Sequence, residues 1–220
     1  VDEARGSGVE RHESRHDGFV PAAGLSSAAA DAIERHVERY LGPVEYVLHE
    51  FVSHLVEAHV LVTGPTADRP YRSLVTAGMS GRPMTVPDGV NPFAEVMTTV
   101  PAAWSPSPED WPVRVLKQVA RLPHEYGTWV GEWHSLPNGE PYTPDTPFAG
   151  VVVAPMVTVA PEARVIHVGD GTAIDLLALV PLHPAEVALK VDRGTQALVE
   201  VLDEGGVTEL LDPDRPSLLD

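Results

Sequence analysis

Cysteine is absent from this chain, which removes disulfide staples, thiolate metal centres and thiol nucleophiles at a stroke. Lysine is nearly absent, occurring only at Lys117 and Lys190, so arginine supplies almost all of the 15 basic residues. Against them stand 32 acidic residues, for a formal net charge of −17. That balance opposes nucleic acid and anionic membranes and would attract a basic partner. No run of about 18 apolar residues exists to span a bilayer. Nor is there a basic start followed by an apolar stretch, the pattern of a secretory signal, so the expected compartment is the cytoplasm. No G-x-G-x-x-G or phosphate-loop pattern occurs, and no cofactor or metal is expected.

What is present is a globular composition. The 220 residues are 43% hydrophobic, enough for a real core. Arginine far outnumbers lysine, and alanine, valine and aspartate are abundant, as in a bacterium of GC-rich codon usage. Charge is unevenly spread: Arg69, Arg72 and Arg82 lie in an acid-free stretch from Arg69 to Val86, whereas Glu200 to Asp220 carries seven carboxylates against Arg215. All four tryptophans, Trp104, Trp111, Trp129 and Trp133, fall between Tyr71 and Gly139. The core and any recognition surface are therefore expected around that segment.

Residues 1–18 are polar, glycine-containing and aperiodic, and read as a flexible tail before one domain at 19–220. Ser26 and Ser27 cap a helix to about Leu41, stopped by Gly42-Pro43. Val44 to Thr63 reads as two strands, with further strands at Tyr71–Ala77 and 93–100 in an antiparallel meander. Pro112 opens a helix that Pro123 is expected to end, with Arg114, Lys117 and Arg121 toward solvent. Strands follow at 148–153, 164–168 and 172–180, the last two a hairpin around Gly169-Asp170-Gly171. Two helices broken at Gly194 come after them. The class is α+β, a mixed or antiparallel central sheet covered by helices.

Several fragments imitate catalytic signatures. His12-Glu13-Ser14-Arg15-His16 satisfies H-E-x-x-H, yet no apolar stripe flanks it to hold such a helix in a core. His49, His54 and His59 recur every five residues, which on one strand puts neighbours on opposite faces, so the series is not expected to converge. Gly78-Met79-Ser80-Gly81 is half a nucleophile elbow, with Arg82 where the second glycine belongs, and reads as a tight turn. A hydrolase using Ser80 with His124 or His134 remains an alternative, which folding would have to assemble. Trp129, Trp133, His124 and His134 could line a polar-tipped pocket or simply plug a helix onto the sheet.

In order along the chain, RPYRSLVTAGMSGRPM, the strand with Phe93 and Glu95, WPVRVLKQVARLPHEYGTW, WHSLPNG and LALVPLHPAE resemble the bacterial members of the suppressor of fused (SUFU) domain family. The resemblance covers about Ser27 to Asp214 and implies a single SUFU-like α+β domain, a protein-binding scaffold without catalysis. By that resemblance the chain looks like the N-terminal α+β domain of eukaryotic Sufu alone, so Gli binding, which there needs the C-terminal half of the clamp, is not expected to carry over. Bacterial relatives are often proposed as immunity proteins, and an acidic antidote would suit a basic toxin domain. Arg82, His124, Trp129, Trp133, His134 and Asn138 lie in the matching blocks and are the candidate protein-binding residues.

Overall fold

Ser26 accepts a hydrogen bond from Ala29 N at 3.2 Å and so satisfies one of the free amides that open helix α1, Ser27–Tyr40. In the computed structural model, described for residues 13–16, 18–50 and 54–219, that helix leads into a sheet of eight strands. They are β1 (Val44–Leu48), β2 (His59–Thr63), β3 (Tyr71–Ala77), β4 (Ala94–Pro101), β5 (Ser135–Pro137), β6 (Gly150–Ala154), β7 (Val165–His167) and β8 (Ala173–Leu182). Helices α2 (Trp111–Tyr126), α3 (Pro184–Arg193) and α4 (Thr195–Glu204) complete the fold.

The strand order is β1-β2-β3-β4-β8-β6-β5, with β7 also paired to β8. β1 to β4 form the expected antiparallel meander, and β4 pairs with β8 in parallel. One parallel pair among antiparallel ones makes the sheet mixed and the class α+β. Side chains alternate across it with period two. Val60, Val62, Leu74, Val96 and Leu179 face α2 through Val113, Leu116 and Ala120. Leu61, Val75, Met97 and Ala178 face Ile33 and Val37 of α1. Farther along, Val152, Val180 and Leu182 pack on Leu198 and Leu202 of α4. Each fully buried valine, leucine, isoleucine or methionine among them contributes about 1.5–3 kcal/mol relative to exposure.

Four expectations need correction. Pro123 lies inside α2 rather than ending it, since the helix runs on to Tyr126. Proline forfeits one amide there, and the Pro123 carbonyl is reused by Thr128 N at 3.0 Å as the chain turns through Gly127 at φ 60°. Lys117 and Arg121 do not point to solvent but reach across to Glu50, a carboxylate only 12% exposed. His49 and His59 do converge, with rings 5.2 Å apart, because the chain doubles back between them. The short strand β5 also went unforeseen: its three residues, one a proline, carry no alternation to detect.

Of the H-E-x-x-H fragment, His12 lies outside the described residues. Its remainder lies against the end of α2: Ser14 bonds Glu125, and His16 Nε2 donates to His124 O at 3.2 Å. His54 accepts from Val20 N through Nδ1 at 3.0 Å, which leaves Nε2 to donate to Glu125 at 3.2 Å.

Candidate functional site

The glycine-rich turn after β3 is built on one carboxylate. Gly78 adopts φ 147°, and a Cβ there would lie 1.7 Å from Glu57 O, so only glycine fits. The chain then makes a single 3-10 turn, Met79–Gly81. Its free amides converge on Glu95, a fully buried residue of β4. Oε1 accepts from Gly78 N at 2.9 Å, Ser80 N at 3.0 Å and Ser80 Oγ at 2.6 Å, and Oε2 from Met79 N at 3.3 Å and Thr76 Oγ1 at 2.6 Å. No ion pair to Glu95 occurs among the described residues. Its charge is stabilised by aligned amide and hydroxyl dipoles, the device by which an isolated buried anion becomes tolerable.

His124, buried on α2, donates Nε2–H to Met79 O at 3.1 Å on the same turn. Burial, with the Arg82 charge adding to it against the opposing pull of the Met79 bond, holds its pKa below the ordinary histidine value. The ring is therefore a neutral donor clamped to a carbonyl. Ser80 gives its hydroxyl proton to Glu95 and His124 gives its ring proton to Met79. The serine-to-imidazole contact that a hydrolase needs is not made by this pair.

Arg82 follows the turn in extended backbone, half-buried. Just beyond it, Thr85 N bonds Thr128 O at 3.2 Å and Val130 N approaches Met84 Sδ at 3.5 Å, so the turn and the tryptophan segment lie side by side. Trp129 meets the His134 ring edge-on at 4.3 Å. Its indole folds back over Gly131, where an added Cβ would stand 2.4 Å from Trp129 Cζ3. Trp133 holds a left-handed φ of 66°, fixed by its N–H to Val153 O at 2.6 Å and by packing on the α4 side of the core. The fold thus joins Arg82 with His124, and Trp129 with His134. Asn138 stands apart at the far end of β5, exposed, with Nδ2 donating to Glu140 O at 2.7 Å.

Two other buried carboxylates repeat the Glu95 theme. Glu209 takes Val157 N at 3.0 Å, Thr158 N at 2.8 Å and Thr158 Oγ1 at 2.6 Å. Glu186, fully buried at the start of α3, receives both Arg215 nitrogens, at 2.6 and 2.8 Å. Burial pushes its pKa up, but Arg215 and the His183 and Leu218 amides outweigh that and hold it below the usual glutamate value.

Beside Trp129 lies a groove of about 370 Å³ whose lining includes Asn91, Glu132, Arg164 and Asp175. Sequence reasoning missed these residues and the anchoring role of Glu95. Only Glu95 left a signal: a lone acid in a strand with no other charge. The groove residues come from four separated segments and left none.

Architecture and site together define an α+β domain in which the buried Ser80, His124 and Glu95 around the turn are engaged in holding loops. The chain belongs to the suppressor of fused family, the model of "Suppressor of fused protein (SUFU)" matching residues 55–216. Among solved structures it is similar to a SUFU homolog from Neisseria gonorrhoeae, at 13% identity and TM-score 0.69, covering 89% of this chain and 99% of that one. A Sufu–Fu complex structure aligns at 13% identity and TM-score 0.64, over 86% and 92% of the two chains. Drosophila Suppressor of Fused aligns at 14% identity and TM-score 0.60, with 90% of this chain spanning 52% of that one. At such identities the likeness is one of fold. A search of curated proteins finds no match. No helix among the described residues is long and apolar enough to cross a membrane.

Proposed function

We propose that this SUFU domain, residues 19–220 behind an N-terminal extension, is a non-catalytic module that captures a basic protein in the cytoplasm. Its partner in this reading is a toxin domain, which the chain neutralises as an immunity protein. The observation that carries the reading is the charge: −17 overall, with Glu200, Asp203, Glu204, Asp212 and Asp214 all exposed on α4 and the segment after it. A surface of one sign accelerates encounter with an oppositely charged partner and disfavours nucleic acid. The Sufu–Fu complex supplies the precedent of a related scaffold holding a protein. Arg82, His124, Trp129, Trp133, His134 and Asn138 are the proposed binding residues, with half-buried Trp129 the one of them that lines the groove.

The test is co-expression with a basic toxin domain encoded beside the gene, followed by size-exclusion chromatography and a growth-rescue assay. A stoichiometric, salt-sensitive complex that restores growth is expected. Absence of both complex and rescue, or turnover of ester or amide substrates that is lost in S80A, overturns the reading.

A further inference from the structure

β6 and β7 pair with the same flank of β8, β6 over residues 178–182 and β7 over 173–175. Among the described residues Leu176 and Leu177 therefore have no cross-strand partner on that flank, and the segment between, 155–164, leaves the sheet. The groove of about 370 Å³ occupies this interruption, with Leu176 and Leu177 in its lining and the 129–132 segment beside them.

Its charges are unbalanced. Asp175 is half-buried and accepts only from Asn91 Nδ2, at 3.0 Å, and no ion pair to it occurs among the described residues. Burial raises its pKa, with the Asn91 bond opposing, which marks a carboxylate short of positive neighbours. Glu132 is exposed in the same lining. Arg164, the one cation of that lining among the described residues, spends Nε on Met156 O at 2.8 Å, so the lining holds two carboxylates and one guanidinium. Trp129, held by His134 and given room by Gly131, adds an aromatic surface of the kind cations stack on.

We infer that this groove receives one basic side chain, an arginine or lysine projecting from the protein partner, with Asp175 and Glu132 as acceptors and Trp129 as the stacking wall. The inference rests on the reading of a basic partner and names the spot where that partner is gripped. A cation entering there supplies Asp175 with the pairing it lacks, and a space of this size suits a side chain rather than a helix or strand.

The test uses the whole chain in ¹H–¹⁵N spectra titrated with acetyl-Gly-Arg-Gly-amide, and with the citrulline peptide that keeps the shape and loses the charge. Saturable shifts are expected at the Trp129 indole N–H, the Asn91 side-chain amide and the Leu176 and Leu177 amides. Citrulline should bind at least about five-fold more weakly, and D175N and E132Q should each weaken the arginine peptide about three-fold without lowering the thermal melt. Equal binding of the two peptides, shifts only outside the groove, or parent-like affinity in both variants would overturn the proposal. A basic protein that binds the D175N/E132Q double variant as tightly as the parent sinks the groove and leaves the partner reading standing. Arginine-peptide binding in the groove with no basic protein partner found does the reverse.

Discussion

Glu95 and Asp175 stand on neighbouring parallel strands one step apart in register, Ala94 facing Asp175 and Glu95 facing Leu176. Glu95 is fully buried and accepts from three amides and two hydroxyls. Asp175 is half-buried and accepts from one asparagine. A saturated carboxylate has no capacity left for a ligand and works as a structural pin for the Gly78–Gly81 turn. An undersupplied one, open to a groove, gains from whatever positive charge arrives. The same chemical group, moved by one strand, passes from architecture to recognition according to how many donors the local backbone turns toward it.

The comparison breaks most visibly at Glu95. In E95Q whichever oxygen becomes an amide confronts at least two donors, since Oε1 serves three and Oε2 two. The expected loss is about 3–5 kcal/mol, or roughly 10 °C in Tm, read by calorimetry. A loss below about 1 kcal/mol would show that the turn does not need the anion. Next comes R215A, which strips the fully buried Glu186 of its cation and should cost about 3 kcal/mol in urea unfolding at pH 7. Glu186 has a lowered folded pKa, so its contribution is present above its unfolded value of about 4.5 and fades as pH falls through the folded value. The gap between R215A and parent should therefore narrow at pH 3. A gap unchanged by acid would mean that Arg215 acts through packing over Phe148, 5.5 Å away, rather than through charge.

Period and punctuation made most of the fold legible. Strand β3 was read at its observed limits, α1 to within a residue, and the break at Gly194 falls where expected, because alternation, caps and glycine act locally. Pro123 misled because a proline in the last turn costs one bond that the following turn regains. Lys117 and Arg121 misled because their partner, Glu50, lies across the fold, and no periodicity reports such a contact. The candidate residues divide the same way. Trp129 and His134, five apart, were nominated together and do meet, whereas Asp175 and Asn91, 84 residues apart and bonded to each other, were invisible. Only the crossover that lays β8 beside β4 brings them together.

A gentler probe asks whether the open half of the comparison depends on a single missing methyl. In G131A the new Cβ meets the Trp129 ring at 2.4 Å, and the indole has to swing away from the groove wall. We expect about 1–2 kcal/mol of destabilisation together with a changed near-ultraviolet circular dichroism signal. The far-ultraviolet signal should stay unchanged, because the clash is with a side chain and not with the backbone. If the near-ultraviolet signal is also unaltered, Trp129 is not held where its groove role requires.

The smallest effect has the most telling sign. Asp175 has a folded pKa raised above its unfolded value by burial, with Asn91 opposing. Its contribution to stability is therefore fully present below the unfolded value of about 3.9 and is lost as pH rises through the folded value. At neutral pH the ionised carboxylate is a liability that the chain carries. D175N keeps an oxygen for Asn91 and removes the charge, so it should match the parent at pH 3 and melt slightly higher at pH 7. E95Q, the same carboxylate-to-amide change on the adjacent strand, should melt far lower at pH 7. Opposite signs for one chemical substitution at two neighbouring positions would separate the residue the fold needs from the one it keeps at a cost. A destabilised D175N at pH 7 would instead make both carboxylates structural and leave the groove without its reason to be anionic.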